Sequence, residues 1–199
     1  MTYGDIMSST ELEGILTFLR NAEQLKNTIR SAVTSNGRHE STAEHTWRLC
    51  LMVLILEKYY PKINILKLLK ICIIHDLGEA INGDISAVNQ VQGVDKGVEE
   101  RKDLKQLIKP LFSELQNEIL SLWDEYENAS SSEALLAKAF DKIETLLQHT
   151  QGKNHENIDY NFNLNYGKKY TNFDELTSNL RAIIDKDTRQ RLAEKDGII

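Results

Sequence analysis

Two histidines and two aspartates, His45, His75, Asp76 and Asp141, are the side chains of this sequence best suited to holding a divalent cation. Imidazole nitrogen and carboxylate oxygen are its usual ligands. The adjacent pair His75-Asp76 is the most telling. It lies in the run Ile71-Cys72-Ile73-Ile74-His75-Asp76-Leu77-Gly78-Glu79, where an uncompensated imidazole and carboxylate cost free energy. A bound cation is one compensation. His45 shares a helical face with Leu49, Met52 and Leu56 at i+4, i+7 and i+11, so it is expected to point inward. Asp141 follows Ala134, Ala137 and Lys138 on one helical stripe, and the two alanines permit close approach of a neighbouring helix. Taken singly, each has an ordinary reading: a core or surface histidine, a solvated helical aspartate. Taken together, the order His…His-Asp…Asp predicts one metal centre assembled from three helices. Its ligand count leaves positions open for water and substrate, as in catalytic rather than structural sites.

The elements that must position these residues are helical. Leu, Ile, Ala, Glu and Lys dominate, there are two prolines, and the 3.6-residue period recurs throughout. A first helix is predicted over residues 11–27, with Leu12, Ile15, Leu16 and Leu19 on one face, followed by a loop over 28–40. Ser41-Thr42-Ala43-Glu44 has capping-box spacing and opens a second helix that runs to about residue 60 and stops at Pro61. The third helix, residues 64–81, is apolar on nearly every side and is expected to be central and buried. Both His75 and Asp76 can meet one ion only near its end, because successive helical side chains diverge by about 100°. Asn82-Gly83-Asp84 closes it, and a polar loop through Gly93 and Gly97 follows. Further helices are predicted over 98–109, 112–127 and 132–151, with a break at Pro110 and caps among Ser130, Ser131 and Ser132. Residues 153–171 read as a long loop, residues 174–184 as a last helix extending towards 192, and 196–199 as a frayed tail. The fold class is all-α: a single compact bundle of about six to eight helices.

A chain of 199 residues suits one domain with a sizeable core. Hydrophobic residues at 41% and charged residues at 27% are an ordinary soluble balance. The formal charge of −6 argues against general nucleic-acid binding. Cys50 and Cys72 both fall in apolar helical patterns and make no disulfide framework, which points to a reducing compartment, the cytoplasm. The first ten residues lack a basic segment followed by an apolar one. No apolar run approaches the roughly 18 residues that span a bilayer, so no membrane association is expected.

In this order the residues resemble the HD-domain metal-dependent phosphohydrolases, with His45 as the first histidine, His75-Asp76 as the namesake pair and Asp141 as the distant aspartate. The stretch from residue 11 to 151 is similar to one branch, the 5′-deoxynucleotidases acting on nucleoside monophosphates. Its local features are Phe18-Leu19-Arg20, Leu25-Lys26, Arg30 and Arg38 before Glu40-Ser41-Thr42-Ala43-Glu44-His45, then Glu79, then Gly83-Asp84. The sequence departs from the branch at two places. Ser31 follows Arg30 where relatives often carry Trp nearby, and Asp84-Ile85-Ser86-Ala87 lacks the proline many relatives have. Both positions border the sugar and base, so they bear on substrate preference. The resemblance makes residues 11–152 the HD domain, residues 1–10 a flexible N-terminus, and residues 153–199 a loop and helix packing on the same domain.

The resemblance implies phosphomonoester hydrolysis of (deoxy)nucleoside 5′-monophosphates with one divalent ion: Mn, Co, Zn, Fe or Mg. Arg30 would clamp the phosphate through bidentate donors. Arg38 would also bind substrate, or else order its loop by pairing with Glu40. Glu79 lies four residues after His75 and three after Asp76, over the site. It would either orient the attacking water or protonate the leaving oxygen. Asp84 would contact the nucleophile or the ribose 3′-hydroxyl. No histidine occurs between Asp76 and Asp141, the interval that supplies second-metal ligands in other HD chemistries; His149 and His155 come later and His39 earlier. A homodimer built on exposed apolar residues of the later helices is expected. Two other functions remain open: hydrolysis of a different phosphate ester or a nucleoside triphosphate, and a regulatory module that binds a nucleotide without turnover.

Overall fold

Serine caps set the frame of the molecule. Ser8 and Ser41 each complete a capping box, with Glu11 and Glu44 respectively, so helices start where orphan backbone N–H groups find side-chain acceptors. The structure, a computed structural model, describes residues 7–84, 96–154 and 158–197. Several expectations fall outside these: the loop at Gly93, the Ile85-Ser86-Ala87 stretch, His155, and the chain ends at 1–6 and 198–199.

Helix α1 spans Ser9–Ala22 and passes into a 3-10 turn, Glu23–Lys26. Where a loop was expected, an antiparallel hairpin forms: β1 (Ile29–Val33) pairs with β2 (His39–Ser41), Ile29 opposite Ser41 and Val33 opposite His39. Its Asn36-Gly37 tip, with Gly37 at φ 86°, is the sequence signal that period-counting over five residues passes by. Helices α2 (Thr42–Leu56) and α3 (Ile65–Ile74) follow, then the single turn α4 (Glu79–Asn82). Beyond lie α5 (Lys96–Ile108), α6 (Ser113–Glu127) and α7 (Ser132–Gln151). The expected loop after residue 152 contains two short turns, α8 (Tyr160–Asn163) and α9 (Lys168–Thr171), before α10 (Glu175–Lys195), capped by Asp174. Seven helices have ten residues or more among the described residues, and the fold is all-α apart from the hairpin. No helix among the described residues is long and apolar enough to cross a membrane.

The central helix is α7, not the third helix. Twelve of its residues are buried, whereas α3 leaves Leu66 and Ile73 exposed. One core joins Leu49 and Val53 of α2, Leu68 and Ile71 of α3, and Leu136, Phe140 and Ile143 of α7. A second joins Ile74 and Leu77 to Leu104, Leu107 and Ile108 of α5 and to Ile119 and Trp123 of α6. The third helix also does not continue to residue 81. After Ile74 the backbone tightens: Leu77, Glu79, Ala80 and Ile81 donate to the carbonyls of Ile74, Asp76, Leu77 and Gly78, three residues back. Gly78 permits this, since a Cβ there would stand 2.7 Å from the Glu100 carbonyl oxygen on α5. Gly83, at φ 85°, ends α4.

Candidate metal and phosphate site

The helix breaks at the His75-Asp76 pair, and this break gives both side chains one direction. A continuous helix would spend the His75 carbonyl on the amide of Glu79, but that amide donates to Asp76 instead. The freed carbonyl accepts the indole N–H of Trp123 at 3.1 Å, which satisfies an otherwise orphaned acceptor. His75 donates Nδ1–H to the Cys72 carbonyl at 2.8 Å, leaving Nε2 3.1 Å from Asp76 Oδ2.

Across from it, α2 supplies His45, fully buried, whose Nε2 lies 3.8 Å from Asp76 Oδ2 and 3.4 Å from Asp141 Oδ1. Neither Nε2 has a hydrogen-bond partner, although both are buried. Two unsatisfied imidazole nitrogens facing two carboxylates form an arrangement that a divalent cation completes. His45, His75 and Asp76 present ligand atoms mutually within 4.8 Å. Asp141 is not one of that trio; its Oδ1 stands 3.4 Å from His45 Nε2, while its Oδ2 is held by the Tyr126 hydroxyl at 2.7 Å and the Lys142 ammonium at 2.6 Å. Glu40, His45 and Glu144 also lie within 4.8 Å of one another, but guanidinium groups occupy that side. Arg30 Nε is 3.4 Å from Glu40, and Arg48 Nε donates to Glu144 at 2.6 Å.

The electrostatics favour positive charge between the imidazoles. Burial and Arg30 oppose protonation of His45, yet Glu144 and Asp141 raise its pKa above the ordinary histidine value. Burial would raise Asp76, and His75, His45 and Arg30 outweigh it, holding the carboxyl below its usual range.

Arg30 comes from β1, which Gln148 and Asn154 pin to the end of α7 through the Val33 carbonyl and amide, at 2.6 and 2.7 Å. Its Nη2 donates to Thr145 Oγ1 at 3.2 Å, and its Nη1 stands 3.6 Å from Asp76 Oδ2. Burial disfavours its charge, but Asp76, Asp84, Glu144 and Asp141 more than reverse this. One face of α7 therefore carries Asp141, Glu144, Thr145 and Gln148, at i, i+3, i+4 and i+7.

Glu79 is buried at the start of α4 and its Oε2 accepts the Thr42 hydroxyl at 3.0 Å. Thr42 is the first residue of α2, three before His45, so this bond ties Glu79 to the helix that carries His45. Asp84 is close enough to influence the Arg30 guanidinium. Arg38 is not drawn into this cluster. Its side chain is 61% exposed and grips Glu44, not Glu40, with Nη1 donating at 2.8 Å. Glu40 is buried beside Arg30 and Arg48 and cannot reach out to it.

Sequence reasoning missed Glu144, Arg48, Tyr126 and Lys142 as members of the site, although Glu144 and Lys142 sit one turn and one residue from Asp141. His149 is not among the cluster: its Nδ1 meets Asn163 Nδ2 at 3.0 Å, and burial lowers its pKa to about 4. Trp123 and Tyr126 are core residues, each with a polar handle on the site.

A helical scaffold that converges two imidazoles and two carboxylates beneath a buried guanidinium defines a protein of the divalent-metal, anion-handling class. The HD domain model matches residues 22–181, and the chain belongs to that family. It is similar to the bovine 5′-deoxynucleotidase HDDC2, with 33% identity over 153 residues covering 76% of this chain and 74% of the relative. It is likewise similar to the Schizosaccharomyces pombe 5′-deoxynucleotidase hdd1, with 34% identity over 148 residues covering 71% and 74%. Among solved structures, a predicted metal-dependent phosphohydrolase from Magnetospirillum magnetotacticum superposes with a TM-score of 0.77 and 25% identity, covering 91% of this chain and 97% of that one.

Proposed function

We propose that this protein is a metal-dependent phosphomonoester hydrolase that removes the 5′-phosphate from deoxynucleoside monophosphates. The observation that carries the proposal is the pair of unsatisfied Nε2 atoms of His45 and His75, facing Asp76 and Asp141, with Arg30 3.6 Å from Asp76. A cation position and an anion clamp are thus neighbours, as phosphate ester hydrolysis requires. The 5′-deoxynucleotidase relatives supply the substrate class. His45, His75, Asp76 and Asp141 would hold one divalent ion, with Mn, Co, Zn, Fe and Mg all compatible with the donor set. When bound, such an ion supplies Lewis acidity towards a phosphoryl oxygen and acidifies water.

The chain's own groups do the rest. Arg30 offers its guanidinium edge to the phosphate, preoriented by Thr145 and Glu40. Glu79, held by Thr42, moves a proton, either from the attacking water or to the 5′-oxygen of the leaving nucleoside. Asp84 serves the ribose 3′-hydroxyl or the nucleophile. Arg38 ties the hairpin to α2 through Glu44. The same reading takes residues 11–152 as the catalytic HD domain, residues 153–199 as an extension packed on it, and the location as cytoplasmic, in keeping with two unpaired cysteines.

The test incubates metal-loaded protein with a panel of nucleoside 5′-mono- and triphosphates and measures free phosphate and pyrophosphate. Phosphate is expected from 2′-deoxynucleoside monophosphates, lost on chelation and restored by added Mn²⁺ or Co²⁺. Pyrophosphate from triphosphates, or metal-dependent nucleotide binding without turnover, would overturn the assignment.

The homodimer belongs to the same proposal, with a different surface from the one expected. The large exposed apolar side chains concentrate on the early helices. Trp47, Leu51, Leu54 and Ile55 form a stripe along α2, with Trp47 65% exposed. Trp47 follows His45 by two positions, about 200° round the helix, so the stripe faces away from the site. A self-associating face on one helix suits a two-fold interface. Wild-type protein at tens of micromolar is expected to run as a dimer in light scattering, and Trp47→Asp as an active monomer. A monomeric wild type would sink the interface.

A further inference from the structure

The buried face of α7 carries a carboxylate to which the hydrolytic reading gives no part. Glu144 is fully buried, three residues beyond Asp141. Its Oε2 meets Nδ1 of His45 in a very short contact. Its Oε1 accepts Arg48 Nε at 2.6 Å, and Arg48 Nη1 donates in turn to Gln151 Oε1 at 3.0 Å. The two imidazoles therefore differ behind the ring. His75 rests on a neutral carbonyl of its own helix, whereas His45 rests on a charged group from a helix 99 residues further along the chain.

A neutral imidazole carries one N–H donor and one lone pair, and only the partner at the far nitrogen decides which side faces the metal. We propose that Glu144, backed by Arg48, is a positioning residue for the metal ligand His45. It keeps Nδ1 protonated, aims the Nε2 lone pair at the space shared with Asp76 and Asp141, and locks the ligand-bearing helices α2 and α7 in register. The same helix then supplies one ligand, Asp141, and the orienter of another. This inference rests on the metal-binding reading above. Carboxylate partners of metal-bound histidines fix tautomer and ring orientation, and their loss weakens metal affinity about 10–100-fold.

The experiment titrates Mn²⁺ into metal-stripped full-length protein, followed by electron paramagnetic resonance, for wild type, Glu144→Gln, Glu144→Ala and Glu40→Gln. Glu144→Ala is expected to lose about 10–100-fold in affinity. Glu144→Gln should lose less, because its amide oxygen still accepts from Nδ1 and the side chain keeps its shape; this variant also carries the test if the alanine protein fails to fold. Glu40→Gln removes a neighbouring buried charge that pairs with Arg30 and Arg48 and makes no hydrogen bond or ion pair to a proposed metal ligand, so it should stay near wild-type affinity. At saturating Mn²⁺ the Glu144→Gln protein should recover most of its turnover with substrate KM unchanged. A purely structural role would lower the melting temperature of the stripped protein without that rescue. Wild-type affinity in Glu144→Ala, or an equal loss in Glu40→Gln, would overturn the assignment of Glu144 alone. A wild type that binds no Mn²⁺ would overturn both it and the metal reading.

Discussion

Asp76→Asn protein is expected to lose most of its bound divalent metal and to fall in activity by on the order of 10³-fold or more, because the acidification of water by the ion goes with it. The substitution conserves shape at a residue that three groups surround. Asp76 Oδ2 lies 3.1 Å from His75 Nε2, 3.8 Å from His45 Nε2 and 3.6 Å from Arg30 Nη1. In the proposed site it is the carboxylate common to the cation position and the anion clamp. Removing its charge leaves the two imidazoles with Asp141 alone, whose second oxygen is already engaged by Tyr126 and Lys142. The fold should survive, since Asn keeps the side-chain volume and Asp76 belongs to neither hydrophobic core. Metal content by elemental analysis, taken beside phosphate release, checks the expectation. A metal-replete, fully active Asp76→Asn protein would remove Asp76 from the ligand set.

The second large effect concerns Glu79. Glu79→Gln should lower kcat by about 10²–10⁴-fold, the range for loss of a positioned proton-transfer group, while metal content and KM change little. Gln can still accept the Thr42 hydroxyl that holds the side chain at 3.0 Å, so the loss isolates the proton-carrying function from positioning. The two roles left open for Glu79 separate with a substrate whose leaving group needs no proton. If Glu79 protonates the 5′-oxygen, an aryl phosphate ester should be hydrolysed by Glu79→Gln nearly as fast as by wild type. If Glu79 orients the attacking water, the defect should persist with that substrate. Wild-type kcat on the nucleotide itself would exclude both.

The difference in legibility between helices and site follows from range. The capping box at Ser41, the period of α6 and α7, and the apolar run before His75 act over a few residues, and each appears in the structure at or within a residue or two of its expected place. The β1–β2 hairpin escapes a reading by period because five residues hold too little alternation, and the side chains that pin it, Gln148 and Asn154, lie over a hundred residues away. The expected third helix was too long because its composition stays helical past residue 74. The break depends on the close approach of α5 at Gly78 and on the indole of Trp123. Arg38 paired with Glu44 rather than Glu40 for a similar reason: burial of Glu40 against two guanidinium groups is a tertiary event.

The helical class and the four side chains able to hold a cation are legible in the chain, since residue type and local period depend on near neighbours. Which atoms of those side chains are free follows from the packing of distant helices. Nδ1 of His45 is engaged by Glu144, Nδ1 of His75 by Cys72, and Oδ2 of Asp141 by Tyr126 and Lys142. These partners come from other helices or from a local unwinding, and they leave Nε2 of each histidine facing Asp76 and one oxygen of Asp141 facing His45 Nε2. The physical reason is that a buried polar atom takes whichever partner packing brings within about 3 Å, and the distances between helices are written in no single stretch of the chain.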